Sequence, residues 1–317
     1  LYETLLAMLV AQGKGLDLVV SHRSKSPNDD MEAQIALAVN ALGLKAGGGS
    51  NTERLVKYQA VTEQMLKVAE TAERPALGEE EQALIRKVRA YEEPTNAGIP
   101  TVGVTAEIGL VHAGALLTFK GATPLGTSAG TGEAIHLVDS VIEAAEHREV
   151  VERHAELFKE IEPGVYTFKK ELDAARVRER GDEALTALFT RAQRYNGKGC
   201  LNAVDNALVV IAPYFEGRDV TTLGLRDIDK ALLNLELRTA ERRGKPVVEG
   251  EIVQLMQRKQ NLGMNAMLSV SLALGRAVAR IRGRELFELI REEMMQIIAT
   301  LAERHQVAIE GLSLIHI

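Results

Sequence analysis

The 317-residue chain has one cysteine, Cys200, no tryptophan, and aromatic residues at only 4%. A lone thiol cannot close an internal disulfide or supply the sulfurs of a cysteine-based zinc site. Long apolar runs are missing too. Each is cut by charged or polar residues well short of the roughly 18 needed to span a bilayer. A basic surplus is also lacking, with Lys+Arg 38 against Asp+Glu 44 and a net charge of −6. Nucleic-acid surfaces need clustered cations, so neither nucleic acid nor membrane is an expected partner. What remains is 46% hydrophobic and 26% charged. That is the composition of one large or two modest globular domains, for which a cytoplasmic location is the expectation.

The chain opens at Leu1 inside an amphipathic pattern (Leu5, Leu6, Leu9, Val10) with no preceding cap, so further sequence upstream is expected. Leu312 to Ile317 read as the translation of a sequencing adaptor and are set aside. Leu16 to His22 is a short apolar run between Gly15 and a polar loop, which suits a buried parallel strand. Met31 to Leu44 carries apolar residues at Ile35, Ala38, Val39 and Leu42, a helical period closed by Gly43. Leu44-Lys45-Ala46 leads into Gly47 to Gly49. Asn51 or Thr52 can then cap a helix through Leu55, Tyr58 and Met65 to Ala72. Strand, helix, strand, helix is the order of a piece of an α/β barrel. Arg74 to Glu81, with proline, glycine and an acidic run, marks a boundary. Ala83 to Tyr91 and Thr101 to Lys120 read as strands joined by turns, an antiparallel meander. Beyond Gly132 the pattern is mostly helical. Its charge-rich stretch from Glu143 to Arg194 reads as two helices flanking Pro163-Gly164, and a strongly apolar helix runs from Leu262 to Ile281. The fold class is therefore α/β plus α+β, a partial (β/α) barrel followed by a meander and helices.

Ser21-His22-Arg23-Ser24 falls where the first strand ends, which in a barrel is the catalytic face. A guanidinium beside a hydroxyl suits a phosphate or carboxylate, because its fork meets two oxygens at once. Lys45 ends the next strand. Taken singly, each cation is more often a surface ion pair or a solvated side chain. Taken together they close consecutive strands, whose tips lie side by side in a barrel, so Arg23 and Lys45 are expected to face one small anionic ligand. Glu79 to Glu81 and Glu292-Glu293 read as solvated acids.

Residues 1 to 72 resemble the C-terminal end of enolases, whose last barrel strands carry V-V-S-H-R-S-G and I-K-T-G before a helix with S-x-R-x-x-K-Y-N. Here these read Val19 to Lys25, Leu44 to Gly47, and Thr52 to Gln59. The rest is similar to the beginning of the same family. Ile99-Pro100-Thr101-Val102 resembles N-P-T-V, Gly126 to Gly130 resembles G-A-S-T-G, and Glu133 to Asp139 resembles E-A-L-E-L-R-D. Tyr195 to Gly199 is similar to Y-x-G-K-G, Ile228 to Leu232 to the I-D-x-x-L helix, and Leu262 to Ala273 to L-G-A-N-A-I-L-G-V-S-L-A. The order is reversed: the barrel's end comes first and the small domain second, as in a tandem fusion, the favoured case, or a circular permutation. The resulting division is 1–73 for the barrel's end, 74–82 for a linker, and 83–311 for the small domain, with a helical insertion at 141–194.

The resemblance implies a lyase that reversibly dehydrates 2-phosphoglycerate to phosphoenolpyruvate in glycolysis, with Mg2+ as cofactor. Carried over by residue, Arg23 and Ser24 would hold the substrate phosphate, Lys45 would sit near the carboxylate, and His22 would line the mouth. Ser128, in a closing loop, would ligate a magnesium ion. A small phosphorylated hydroxyacid is the implied partner, and a homo-oligomer or an internal pseudo-dimer the implied assembly. Several positions depart from the pattern: Ala97 replaces the family's arginine, Ala129 its threonine, and Lys25-Ser26-Pro27 its G-E-T. The family's metal carboxylates, catalytic lysine and catalytic glutamate belong to barrel segments outside these residues. The expectation is a chain inactive by itself, with the uncovered faces and poor stability of a partial barrel. The alternative is a pseudoenzyme unit serving as a fused dimerisation partner.

Overall fold

The computed structural model describes residues 1–23, 25–48, 51–70, 81–125 and 132–305. The chain begins with α1 (Tyr2–Gly13), β1 (Val19–Ser21), α2 (Met31–Ala38), β2 (Gly43–Lys45) and α3 (Thr52–Glu70). β1 and β2 pair in parallel, with Val19 opposite Gly43 and Ser21 opposite Lys45. The helix expected over Met31 to Leu44 stops at Ala38. Asn40 there takes a left-handed φ of 49°, and Leu44 is drawn into β2. Nor is β1 buried on both sides as expected. Val20 is covered, but Val19 is 58% exposed, because no third strand joins this sheet among the described residues.

The meander follows as β3 (Ala83–Pro94), β4 (Pro100–Leu110) and β5 (Leu116–Ala122), paired antiparallel in that order. Next come β6 (Ile142–Glu143), α4 (Ala144–Arg153), β7 (Phe158–Glu162), β8 (Val165–Phe168), α5 (Ala174–Arg178) and α6 (Glu183–Ala192). Pro163-Gly164 therefore joins a hairpin and not the two helices expected of the insertion. β8 is wholly β-branched or aromatic and β7 contributes Phe158 and Ile161, and the rings of Phe158 and Phe168 meet across the pair at 4.6 Å. Around them Ile142, Val151, Val177, Leu185 and Phe189 form a small core separate from the main one.

α7 (Leu201–Asn206) continues through a π-helical turn at Ala207–Ile211 into α8 (Ala212–Phe215), and α9 (Leu225–Arg242), α10 (Ile252–Arg258), α11 (Met264–Ile281) and α12 (Leu286–His305) complete the chain. Among the described residues no helix is long and apolar enough to cross a membrane. α11 lies on the meander. A Cβ on Gly121 would stand 2.3 Å from the Ser269 carbonyl oxygen, so only glycine allows this approach. Glu293, expected in solvent, is buried and accepts the Leu225 N–H at the start of α9. Its carboxyl is raised by burial.

One apolar core runs from Leu5, Val20 and Ile35 through Val102 and Ile108 to Val270 and Ile290, so the barrel piece and the small domain fold on each other. This revises the expected exposure. α2 is covered by α12, while Leu16, Leu42, Met65 and Leu66 on the far side stay open to solvent. The polar part of the junction centres on Arg276 of α11. Its guanidinium donates to Asp29 at 2.9 Å through both Nη atoms, to Asp30 at 2.6 Å and to the Lys120 carbonyl at 2.6 Å. Lys57, only 1% exposed, donates to the Asp29 and Glu53 carbonyls at 2.7 and 2.8 Å. Arg291 reaches the Leu37 carbonyl at 2.7 Å, where α2 ends.

The L-G-x-N sequence at Leu262 to Asn265 is a clasp. Gly263 needs its φ of 92°. Asn265 accepts the Leu137 N–H at 3.0 Å and donates to its carbonyl at 3.1 Å. That amide orientation turns its NH2 toward His136 Nε2 at 3.5 Å, which places the imidazole proton on Nδ1. Burial, with the charge of Lys25, lowers the His136 pKa to about 4.

Three outcomes are expected from these contacts. Arg276→Ala leaves two carboxylates without their cation and is expected to cost about 3 kcal/mol in equilibrium urea unfolding. The barrel piece and the small domain should also unfold in one transition, and two separate transitions would show that the core is not shared. His136 binds no proton in the fold between its unfolded pKa of 6.5 and its folded value of about 4, whereas the unfolded chain does. Stability should therefore fall as pH drops through that window, by at most about 3 kcal/mol for this group, and His136→Gln should flatten the fall relative to wild type.

Candidate functional site

The tips of β1 and β2 are locked together by backbone and side chain at once. The His22 N–H donates to the Lys45 carbonyl at 3.0 Å, and His22 Nδ1 lies 3.0 Å from the same oxygen. A carbonyl only accepts, so Nδ1 carries the proton. Nε2 is left as an acceptor. Ser21 Oγ donates to the His22 carbonyl at 3.3 Å, and Ser26 Oγ to the Arg23 carbonyl at 2.9 Å. The tip of β1 is thus held from both sides.

Lys25 exchanges two backbone hydrogen bonds with Leu125, at 3.2 and 2.8 Å. This isolated bridge ties the β1 tip to the small domain just before Gly126. Asn96 adds a second tie: its side chain donates to Glu53 Oε1 at 2.8 Å, and its N–H reaches the Ser26 carbonyl at 3.4 Å. The segment containing Ala97 therefore lies beside the barrel piece, although it lacks the family's arginine. Two site residues expected from the sequence, Ser24 and Ser128, lie outside the described residues.

Arg23 and Lys45 end neighbouring strands, but their side chains have different surroundings. Arg23 lines a cavity of about 410 Å³ between α1, α9 and α11, where Nη2 lies 3.4 Å from Glu133 Oε2. Lys45 is exposed and does not line that cavity. Both partners of the Arg23–Glu133 pair are more than 40% exposed, so the contact is worth no more than about 1 kcal/mol and an anion can displace it. The cavity floor is apolar, built from Met264, Met267 and Leu268, with Arg226, Lys230 and Lys259 at its polar edge. Lys259 is paired to Glu3 at 2.7 Å. Glu133 went unnoticed in the sequence as the partner of Arg23, since the two lie 110 residues apart.

A magnesium ion takes oxygen ligands, usually one or two carboxylates with water and phosphate. Among the described residues no group of three or more Asp, Glu, His or Cys side chains stands close enough to hold a metal ion. The nearest carboxylate to Arg23, that of Glu133, is turned to the guanidinium. The donor set present thus does not fit a magnesium site. Cys200 adds no reactive thiol, because it is buried and burial pushes its pKa up.

Comparison with known proteins matches two family models. The enolase N-terminal domain matches residues 85–290, and the enolase C-terminal TIM barrel domain matches residues 1–81. Three enolases illustrate the likeness. That of Thermococcus kodakarensis is 38% identical over 97 residues, covering 31% of this chain and 18% of that protein. That of Thermococcus gammatolerans is 36% identical over 98 residues, covering 31% and 18%. That of Malacoplasma penetrans is 27% identical over 211 residues, covering 67% and 30%. The chain spans less than a third of the length of these relatives, and its barrel match precedes its N-terminal-domain match. With the N-terminal domain model alone matched over more than half its length, the chain belongs to the enolase family.

Proposed function

We propose that the chain is part of an enolase-type lyase that interconverts 2-phosphoglycerate and phosphoenolpyruvate. The observation that carries this reading is the parallel register of β1 and β2, which puts the His22-Arg23 tip beside Lys45. In this assignment Arg23 and Ser24 take the substrate phosphate, Lys45 the carboxylate, and His22, through its free Nε2, a substrate hydroxyl or phosphoryl proton. Ser128 closes from the small domain. The bridge between Lys25 and Leu125 supports that role, because it fixes one end of the segment bearing Ser128 against the β1 tip. Arg23 would leave Glu133 when the phosphate binds. That exchange replaces a weak, exposed pair by a bidentate, charge-assisted one. The family's magnesium chemistry needs carboxylates that the described residues do not assemble. The chain alone is therefore expected to be inactive.

The reading extends to organisation. Residues 1–73 form the end of a barrel, 74–82 a linker, and 83–311 a small domain carrying the 141–194 insertion. They sit in a tandem or permuted arrangement within a cytoplasmic, oligomeric enzyme. A second reading is a pseudoenzyme unit that serves as a fused structural partner. It is favoured by the different surroundings of Arg23 and Lys45, and by Ala97.

The test is phosphoenolpyruvate formation from 2-phosphoglycerate, with magnesium supplied, by a protein carrying this chain together with a complete barrel. Each charge-assisted contact contributes about 1.5–3 kcal/mol, so Arg23→Ala and Lys45→Ala are each expected to lower kcat/KM by about tenfold to a hundredfold. Wild-type turnover in both variants, or no turnover by the wild type, favours the structural reading.

A further inference from the structure

The insertion builds a second cavity, of about 700 Å³, against the small domain. This size falls within the range of small-molecule sites, roughly 300–1,000 Å³. It shares no lining residue with the cavity that holds Arg23. Four lysines line it: Lys25 from the β1 tip, Lys169 and Lys170 just beyond β8, and Lys198 from the turn before α7. No aspartate or glutamate does. None of the four ammonium groups has an ion pair or side-chain hydrogen bond among the described residues.

The chain carries a net charge of −6, and three arginines close to the insertion are matched with acids. Arg194 is paired with Glu92 and Asp139, Arg243 with Glu146, and Arg258 with Glu162. Lys169, Lys170 and Lys198 are exposed and Lys25 is half-buried, and an anion seated among them is attracted by all four charges at once. The turn presenting Lys198 is itself strained. Tyr195, Asn196 and Gly197 have φ of 49°, 55° and 80°, and a left-handed tyrosine is sterically disfavoured. Strain of this kind persists where the surrounding structure requires a special conformation, often at a ligand site.

The remaining lining suits a phosphate compound with a small organic body. Ser140, Gln193 and Asn196 offer neutral hydrogen-bond donors, and Phe168 and Leu172 form an apolar wall. His136 also lines the cavity, and its buried Nδ1 has no partner. We propose that this cavity binds a compact phosphate compound bearing at least two negative charges, held between the insertion and the small domain. The insertion then has a task of its own: it brings Lys169 and Lys170 to face Lys25 and Lys198.

Isothermal titration calorimetry of the full chain with inorganic pyrophosphate, at about 150 mM salt to screen diffuse attraction, tests the proposal. One saturable site is expected, with a Kd on the order of 10–100 μM. Lys198→Gln should weaken it about tenfold, and the double variant Lys169→Gln/Lys170→Gln about a hundredfold. A control that removes the same charge from elsewhere on the surface, Lys14→Gln/Lys87→Gln, should bind as the wild type does. Absence of saturable heat would overturn the proposal. So would a Kd unmoved in the double variant, or one weakened equally in the control.

Discussion

The junction rests on one buried cation. Arg276 leaves the middle of α11 and is met by Asp29 and Asp30, at the start of α2 between the two parallel strands. Lysine would not serve. The planar fork satisfies both oxygens of Asp29 and still has donors for Asp30 and the Lys120 carbonyl. Desolvation opposes the charge, but the two carboxylates more than offset it, and the guanidinium is raised above its ordinary value. The pair of acids also orders α2, since Asp29 accepts the Met31 N–H and Asp30 the Gln34 side chain. A single residue of the small domain thereby determines where the barrel piece begins its helix. The β1 tip lies immediately before that helix, so its position relative to the small domain depends on the same contact.

From there the geometry of the candidate site is a matter of short segments between fixed points. Arg23 to Pro27 runs from a strand locked to β2 to an acid locked to α11, and is bridged on the way to Leu125. On the far side of the loop that carries Ser128, Leu137 is gripped by Asn265. Leu125 and Leu137, which flank residues 126–131 in the chain, are thus both held by other elements of the fold.

Much of this was legible from the residues alone, for a local reason. The parallel pair, the meander and α11 rest on periodicity within one segment. What escaped is long-range. The charge density of Phe158 to Phe168 reads as helix and masks a short alternation of aromatic and β-branched residues. Glu293 reads as a solvated acid because its partner, the Leu225 N–H, lies 68 residues earlier. Nothing in the spacing of Arg23 and Glu133 announces that they meet. The resemblance to the family implies a phosphate role for Arg23, but it does not reveal that the guanidinium lies against a carboxylate.

That resting state bears on how the two cavities differ. At the first, Arg23 and Lys259 each have an acid to lean on, so an anion binding there must break a pair before it makes one, and net affinity comes only from better geometry. At the second, no acid lines the wall, and an anion gains the full attraction of unpaired lysines at the cost of ordering flexible side chains. The first arrangement suits a substrate that must also leave, because the displaced carboxylate is ready to take the arginine back. The second suits a ligand that stays.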